Sequence, residues 1–323
     1  MTLAPLGVNE ALWEEFLSQA ANGTLFHDLH FLRYHPEGRF RFHHLILMRH
    51  GKPIGLVPGG LTGSDERPLF CSPLGASIGG MVVGAGLRAG TALAMVETLQ
   101  EYARGQGWAG IEMTLPPSYY SFETAGLIEF ALFCRGFRLQ QKWLCPVLQL
   151  EPEPNAFERT YTARQASYVR AARRKGIRGL ETGVEGLENF IVPFRDTYDR
   201  HAVPATHTED EIRDLLIRLP ERVRIHLAMF DGVPIAALLV FRVTKRVAYT
   251  FYICRNSRHE NEHGPAFLIA ELMDRLSAAG FRYLDLGPTA SDEKFNKGVT
   301  FFKEGVGAVG HCRDRWRWVL TLE

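Results

Sequence analysis

The sequence predicts an α/β fold of the α+β type, built from two tandem related domains with a cleft between them. Each domain is predicted to hold a mixed, mostly antiparallel sheet flanked by helices. Three segments recur in the same order: 44–55 recurs at 226–236, 107–113 at 280–286, and 133–137 at 302–306. A repeat period this long excludes a solenoid and indicates a duplicated domain. A chain of 323 residues also fits two domains of about 150 residues.

The first domain, 1–150, is predicted to alternate helices and strands. Asn9 fits an N-cap for a helix through Ala20, and Leu93, Val96 and Leu99 recur at helical spacing within 87–104. The complete prediction gives helices at 9–20, 29–34, 87–104 and 122–134, and strands at 42–49, 53–61, 69–84, 109–115 and 137–150.

The second domain, 151–323, follows a polar linker at 151–155 that two prolines interrupt. Thr208 and Glu211 form a capping-box pattern at the start of one helix. The prediction gives helices at 163–175, 185–200, 208–219 and 265–279, and strands at 223–230, 234–243, 246–254 and 281–286. A short helix then ends at Gly305, with Phe301 and Phe302 packed inward and Lys303 facing outward. The last strand, 311–322, fits either sheet.

Composition narrows the class of protein. With 37 Lys and Arg against 36 Asp and Glu, the net charge of +1 excludes a globally basic nucleic-acid binder, and DNA is not expected as a partner. The five cysteines are scattered without a CxxC motif, which suits a reducing compartment. Neither a signal segment nor a run of 18 apolar residues is evident, so a cytoplasmic location is expected.

Three stretches carry a resemblance to a known family: 168–177 (YVRAARRKGI), 283–287 (YLDLG) and 301–308 (FFKEGVGA). Together with the antiparallel strands between them, they resemble the GNAT acyltransferases, and within these the FemABX group, which includes methicillin-resistance proteins. The resemblance covers 151–310 well and reaches 1–150 through the internal repeat. The sequence has no long helical-hairpin insertion of the kind that some such proteins carry.

The resemblance implies an N-acyltransferase that moves an aminoacyl group from aminoacyl-tRNA to the amine of a peptidoglycan precursor. tRNA and a UDP-linked or lipid-linked cell-wall precursor would then be the partners, with peripheral membrane contact left open. No tightly bound cofactor or metal is expected. Two alternatives stay open: an acyl-CoA-dependent N-acyltransferase, and a non-catalytic binding module with the same fold.

Acyl-CoA binding in this fold needs a loop of the type Arg/Gln-x-x-Gly-x-Gly/Ala before a helix. The corresponding residues here are Asn261, Gly264 and Ala266, which we take as the candidate donor loop. Pro265 removes one amide donor, and Glu262 adds negative charge near the phosphate position. The stretch 259–263 also matches His-Glu-x-x-His, but the following Gly-Pro argues against the helix that a zinc site of this type requires.

A basic helix supplies the predicted substrate contacts. Arg170, Arg173 and Arg174 share a helical face, and Lys175 follows them. We expect them to bind an anionic substrate, although cations that simply complement the helix dipole would give the same pattern. Tyr252 and Phe302 are predicted as walls of the substrate site.

Lys303 and Asp285 are the predicted catalytic residues. In FemABX-like proteins the lysine of the Phe-Lys motif is associated with the substrate site, and an ammonium there could stabilise an oxyanion. The alternatives are a solvated lysine paired with an acid and a structural aspartate. If Lys303 faces outward, Lys303→Met should slow transfer while leaving the fold intact.

Overall fold

The computed structural model describes residues 1–121, 125–201, 204–291 and 294–321. The chain forms two compact units, the first from residues 1–143 and 312–323, the second from residues 144–311. The predicted boundary at 150/151 therefore lies inside the second unit. The proline-containing segment 151–155 does not link the units, since Asp274 accepts from the Asn155 amide and Ser277 donates to the Glu151 carbonyl.

The first unit contains the elements up to the start of β9. Their bounds are β1 Thr2–Pro5, α1 Glu10–Gln19, α2 Leu29–Leu32, β2 Arg41–Phe42, β3 Leu45–Arg49, β4 Lys52–Val57, β5 Gly60–Thr62, β6 Leu69–Ser72, β7 Val82–Val83, α3 Ala89–Gly105, β8 Gly110–Thr114, α4 Ala125–Cys134 and β9 Arg138–Gln149. The predicted strand 69–84 is thus two strands, because the Pro- and Gly-containing turn 73–80 separates them. Residues 122–124 of the predicted helix 122–134 lie outside the described residues.

The second unit contains the remaining elements up to the start of β16. Their bounds are α5 Phe157–Thr160, α6 Ala163–Arg174, β10 Arg178–Thr182, α7 Leu187–His201, α8 Glu209–Arg218, β11 Val223–Phe230, β12 Val233–Arg242, β13 Val247–Arg255, α9 Gly264–Ala278, β14 Tyr283–Asp285, β15 Ala290–Ser291, α10 Lys297–Gly305 and β16 Val309–Val319. The capping box of α8 forms as predicted. The prediction missed α5 and the edge strand β10. Residue 322 of the predicted last strand is not among the described residues.

Each unit has its own sheet order. The first unit pairs β1-β3-β4-β7 in one sheet and β16-β8-β6-β5-β2 in another, and the second unit pairs β10-β11-β12-β13-β14-β9. One pair in each unit is parallel, β6 with β8 and β13 with β14. Its register sets Cys71 opposite Glu112 in the first unit and Tyr249 opposite Asp285 in the second. The prediction of mixed, mostly antiparallel sheets flanked by helices is confirmed.

The repeated hairpins match in detail. Strands β3 and β4 join through His50-Gly51, and β11 and β12 through Asp231-Gly232, and all four turn residues have positive φ. Such turns favour Gly and tolerate Asn, Asp or His in the left-handed region. Both hairpins also shift register at the same point, before Met48 and before Met229. The shared irregularity supports the duplication inferred from the sequence.

The third repeat needs a corrected alignment. The sequence comparison placed Cys134 opposite Lys303, but the helix ends give a different match. Beyond α4 the left-handed residue is Gly136, and beyond α10 it is Gly307, each followed by a backbone bond to the helix, Phe137 to Leu132 and Ala308 to Lys303. Leu132 is therefore the residue that corresponds to Lys303.

The central strands are β8 in the first unit and β14 in the second. Each pairs with a strand that comes, along the chain, directly after the last helix of the other unit. After α4, β9 runs on to pair with β14 through residues 147–149. After α10, β16 runs on to pair with β8 through residues 315–319. The last strand, which the sequence could assign to either sheet, therefore completes the sheet of the first unit.

The two cores are separate clusters of buried side chains. In the second unit, α9 packs Phe267, Leu268 and Met273 against the sheet, and Gly264 lets the helix start close to Ala236, whose Cβ would lie 2.7 Å from an added Cβ. In the first unit, α3 and α4 pack Met95, Leu99 and Leu132 against the sheet. None of the helices in the described ranges combines the length and apolar character needed to cross a bilayer.

Candidate functional site

A cavity of about 810 Å³ opens in the second unit beside the start of α9. Its walls come from the first half of α6, the end of α7, the end of β13, the turn before α9 and the start of α10. Strand β13 carries a bulge near this wall, because Leu239 pairs with Tyr252 while Val240 pairs with Thr250, leaving Phe251 without an opposite residue. Beyond the bulge, Ile253 and Arg255 line the cavity.

The turn before α9, which contains part of the predicted donor loop, lines one side of the cavity. His263 is the N-cap and adopts the left-handed conformation, with φ of 52°. The first-turn amides of a helix have no partner within the helix, and Pro265 removes one of them. Of the predicted donor-loop residues, Ala266 lines the cavity, Gly264 is buried against the sheet, and Asn261 is exposed.

Cations dominate the cavity lining. Arg164, Arg200, Arg255 and Lys294 line it, whereas Glu260 is the carboxylate that lines it within the described ranges. Arg255 pairs with Glu260, with 2.5 Å between Nη1 and Oε1. The remaining charge favours an anionic ligand.

An aromatic pair forms one wall. The rings of Tyr168 and His263 stack with centroids 3.5 Å apart and planes inclined by 13°. Arg164 donates from Nε to the Tyr168 hydroxyl at 2.6 Å. Burial lowers the pKa of His263, and the nearby Lys175 lowers it further, which favours the neutral form of the ring. A neutral aromatic stack edged by a guanidinium is the kind of surface that binds a nucleobase.

Lys303 and Asp285 converge on one backbone segment. Lys303 is buried, and its ammonium donates to the carbonyls of Leu286 at 2.5 Å, Gly287 at 2.9 Å and Pro288 at 3.5 Å. The Asp285 carboxylate, also buried, accepts from the Gly287 amide at 2.7 Å. The prediction that Lys303 faces outward is wrong, because α10 turns Thr300 and Lys303 inward.

The two phenylalanines of α10 also differ from the prediction. Phe301 is 55% exposed, and Lys297 lies over its ring. Phe302 is half-buried, packs against the core and lines the cavity. Only the second of these rings therefore packs inward.

Tyr252 lies behind the cavity wall. Its hydroxyl accepts from the His207 amide at 3.0 Å, and the ring is buried among Phe194, Tyr198 and Phe251. Burial raises the pKa of this phenol. Tyr198, which Tyr252 contacts, is the aromatic residue that reaches the cavity from this cluster.

The predicted basic face of α6 is engaged in ion pairs. Arg170 pairs with Glu158 at 2.5 Å and Arg173 with Glu271 at 2.8 Å, while Lys175 pairs with Glu262 at 3.3 Å. Arg174 is exposed. The cavity is lined instead by Arg164, Gln165 and Tyr168, from the first turns of the same helix.

The His-Glu-x-x-His stretch is not an α-helix. Residues Ser257–Glu262 form a 3₁₀ segment that is interrupted at His259, where φ is −121°. His263 then adopts the left-handed conformation, so the two histidines do not share a helical face. The described residues contain no group of three or more His, Cys, Asp or Glu side chains arranged to hold a metal ion.

Comparison with known proteins identifies the fold that carries this cavity. Residues 161–295 match the profile of the acetyltransferase (GNAT) domain. The chain superposes on the crystal structure of FemX with a TM-score of 0.75 at 11% identity, over 99% of this chain and 98% of that one. The fold is a FemX-like GNAT fold. The predicted resemblance to this group is therefore confirmed at the level of the fold.

Other solved structures share the FemX-like GNAT fold at lower similarity. L-PGS from Bacillus licheniformis aligns with a TM-score of 0.59 at 11% identity, over 95% of this chain and 90% of that one. A tandem GNAT protein from the clavulanic acid biosynthesis pathway aligns with a TM-score of 0.54 at 16% identity, over 98% of both chains. No curated protein sequence matches this chain.

Sequence reasoning missed most of the cavity lining. Arg164, Arg200, Arg255 and Lys294 come from four separate segments, and none forms a motif with its neighbours. Tyr168 lay within the stretch that carried the resemblance, but its stack on His263 joins residues far apart in the chain. An arginine that closes a strand just before the donor loop, as Arg255 does, was the one local signal.

Proposed function

We propose that this protein is an N-acyltransferase that transfers an aminoacyl group from aminoacyl-tRNA to the amine of a peptidoglycan precursor. The fold supports acyl transfer, since it is the fold of the GNAT acyltransferases and aligns with FemX over nearly its whole length. The observation that carries the choice of donor is the stacked pair of Tyr168 and His263 in the wall of the cationic cavity beside α9.

The donor end of the cavity suits the 3′ end of an RNA. Arg164, Arg200 and Lys294 offer positive charge to phosphates, while the Tyr168–His263 pair offers a stacking surface. The amine of the acceptor would attack the ester carbonyl of the aminoacyl group and displace the ribose hydroxyl. Catalysis would rest mainly on holding the two reactants together and on stabilising the oxyanion.

Lys303 and Asp285 act in this proposal through the segment 286–288. Their bonds to the Leu286 carbonyl and the Gly287 amide fix the turn that follows the central strand. We therefore propose them as positioning residues for the transfer. Tyr252 would act similarly, by holding Tyr198 at the cavity wall.

Acyl-CoA is the second candidate donor. It is favoured by Gly264 and Ala266, which keep the Gly-x-Ala part of the phosphate loop, and by the match to the acetyltransferase domain profile. Against it, Pro265 lacks an amide proton, and Glu260 and Glu262 lie in the preceding segment. Positive charge in the cavity fits either donor, so the experiment must compare them directly.

Thermal unfolding and transfer assays test the proposal. Stabilisation by a ligand grows with its concentration relative to Kd, so aminoacyl-tRNA should raise Tm where acetyl-CoA does not. Transfer of a labelled amino acid from tRNA to a UDP-linked muropeptide is the activity expected. Consumption of acetyl-CoA, together with a rise in Tm on its addition, would instead establish the second candidate.

Variants connect the activity to the cavity. Combined replacement of Arg164 and Lys294 by Ala should weaken tRNA binding about 10-fold or more and reduce its salt dependence, because two phosphate contacts are lost. Joint replacement of Arg170 and Arg173 by Ala is the matched control, since it also removes two cations, neither of which lines the cavity. If the control weakens tRNA binding as much as the cavity variant does, the donor binds elsewhere.

A further inference from the structure

Strand β16 presents a row of arginines on one face of the first unit's sheet. Arg313, Arg315 and Arg317 occupy alternate positions, and alternate side chains of a strand point to the same face. The register sets Arg317 opposite Glu112 and Arg315 opposite Thr114. Glu112 is in turn opposite Cys71 of β6, so these side chains share one surface.

Arg315 is held in a fixed orientation. Its Nη1 lies 3.3 Å from a Glu112 carboxylate oxygen, and its Nε donates to the Thr114 hydroxyl at 3.1 Å. The guanidinium also lies over the Trp143 ring, 4.8 Å from its centroid. Its side chain nonetheless remains 35% exposed, so part of it is accessible to a ligand.

Arg317 lies next along the row, opposite Glu112, which in the described part of the chain pairs with Arg315 instead. Its Nε is buried and has no hydrogen-bond partner within the described part of the chain. A buried donor without a partner is uncommon in folded proteins, and an anion beside the guanidinium would supply the acceptor that it lacks. Since Glu112 is already paired with Arg315, positive charge is left at Arg317.

The fold does not require cations at these positions. In the second unit, Val147 lies opposite Asp285, as Arg317 lies opposite Glu112. Counting two residues back along each strand, Cys145 corresponds to Arg315. Both Val147 and Cys145 are buried apolar side chains. The same strand position therefore serves as core in one unit and as a charged surface in the other.

We propose that Arg315 and Arg317 bind an oxyanion, supplied by the phosphate or carboxylate of a small ligand. The planar, fork-shaped donor set of arginine matches both groups. Arg313 borders this site, and its Nη1 donates to the Ser77 carbonyl at 3.0 Å, which fixes the end of the row. The inference rests on the first unit alone and does not depend on which acyl donor the protein uses.

Calorimetric titration with pyrophosphate and with succinate at low salt tests this site in the full-length protein. Arg164, Arg200 and Lys294 are all replaced by Ala in this background, so that the cavity of the second unit contributes little. Arg317→Val, which copies Val147, should weaken anion binding about 10-fold or more, the equivalent of one charge-assisted hydrogen bond. Binding of pyrophosphate identifies a phosphate ligand, and preference for succinate a carboxylate.

Lys142→Met is the matched control. Lys142 pairs with Asp314, which alternates with the arginines and so points away from them, and the substitution removes one cation from the same unit. Affinity should stay within about twofold of the parent, because only screened, longer-range attraction is lost. Arg317→Lys should bind with intermediate affinity, since it keeps the charge and loses the fork.

Two results would overturn the proposal. One is the absence of binding to either anion by the protein that retains Arg317. The other is unchanged affinity in Arg317→Val together with a lowered Tm, which would assign Arg317 a structural role. Should the valine variant fail to fold, unchanged affinity in Arg317→Lys relative to its parent would reject the guanidinium site in the same way.

Discussion

The helix that follows the central strand buries a charged residue in the second unit and an apolar residue in the first. In the second unit, α10 directs Lys303 inward, where its ammonium donates to the backbone carbonyls of 286–288. In the first unit, the corresponding residue of α4 is Leu132, which is fully buried in the apolar core. The same helix position therefore fills space in the apolar core of the first unit and binds the backbone of a turn in the second.

The strands that pair with the central strands show the opposite pattern, with charged side chains in the first unit and apolar side chains in the second. Arg315 and Arg317 flank Glu112 in the first unit, whereas Cys145 and Val147 flank Asp285 in the second. Each unit therefore has charged side chains at one of these two positions, the helix or the neighbouring strand, and apolar side chains at the other. Since the shared fold needs neither set of charges, both sets are candidates for function, although Lys303 also holds the backbone of 286–288 in place.

Leu132→Lys gives the most severe test of the first contrast. It would place a charge among the apolar side chains of α3 and β8, and we expect a loss of at least about 4 kcal/mol in the free energy of unfolding. Urea denaturation measures it. Leu132→Met is the control and should cost less than about 1.5 kcal/mol, because it nearly conserves volume. Equal stability of the two variants would mean that the first unit also offers carbonyls to a lysine at this position.

Lys303→Met tests the same contrast from the other side. It leaves the carbonyls of Leu286, Gly287 and Pro288 without their donor, and we expect a loss of roughly 2–5 kcal/mol in the free energy of unfolding. The structure thus replaces the sequence-based expectation of an intact fold. Transfer by the folded fraction should also fall, by roughly 10- to 1000-fold, because the turn after the central strand loses its position.

Glu304→Gln is the control for Lys303→Met, since Glu304 is the exposed neighbour on the same helix. It should leave both stability and transfer near wild type. Normal transfer per folded Lys303→Met molecule would remove Lys303 from the positioning of the site. Normal stability would show that water replaces the ammonium at the three carbonyls.

Acid should affect the first unit more than the second. Burial lowers the pKa of His27 and of His44 to about 4 in the first unit, and that of His226 to about 4 in the second. A lowered folded-state pKa means that the unfolded chain binds protons as pH falls from about 6.5 to about 4, while the folded chain does not. Stability is therefore complete above pH 6.5 and falls through this window, by up to about 3 kcal/mol for His27.

Hydrogen exchange at pH 7 and pH 5, corrected for the intrinsic rate, compares the two units in one sample. Amides of β3, β4 and α3 should lose more protection than those of β11, β12 and α9. His27 accepts from the Thr24 amide through Nδ1 and contacts the Gly79 carbonyl through Nε2, so His27→Asn should lower stability while flattening its pH dependence. An unaltered pH slope in that variant would assign the acid sensitivity to other groups.

Local signals predicted the fold well and the site poorly, for a physical reason. The hairpins were found because their turns, His50-Gly51 and Asp231-Gly232, need special backbone angles that short sequences encode. The match between α4 and α10 was misplaced by two residues, because adjacent phenylalanines obscure the phase of a nine-residue helix. The turn glycines 136 and 307 carried the correct alignment. The cavity residues meet only through tertiary packing, which no local pattern specifies.

The smallest effect is expected from the basic face of α6, which the sequence singled out as a substrate clamp. Arg170 and Arg173 already pair with Glu158 and Glu271, and Arg173 lies over the Phe157 ring. Such half-exposed pairs contribute at most about 1 kcal/mol each. Joint replacement of Arg170, Arg173 and Arg174 by Ala should therefore lower stability by under about 2 kcal/mol and leave tRNA affinity within about twofold.

The comparison that decides the role of α6 is between its two faces. Titration of tRNA binding against salt should give wild-type slopes for the triple variant, because its guanidiniums are neutralised within the protein before any ligand arrives. The Arg164 and Lys294 variant should give a reduced slope, since those cations line the cavity. If the triple variant instead shows the flatter slope, the anion binds along 170–174, as the charge pattern of the sequence predicts, and these ion pairs open when it does.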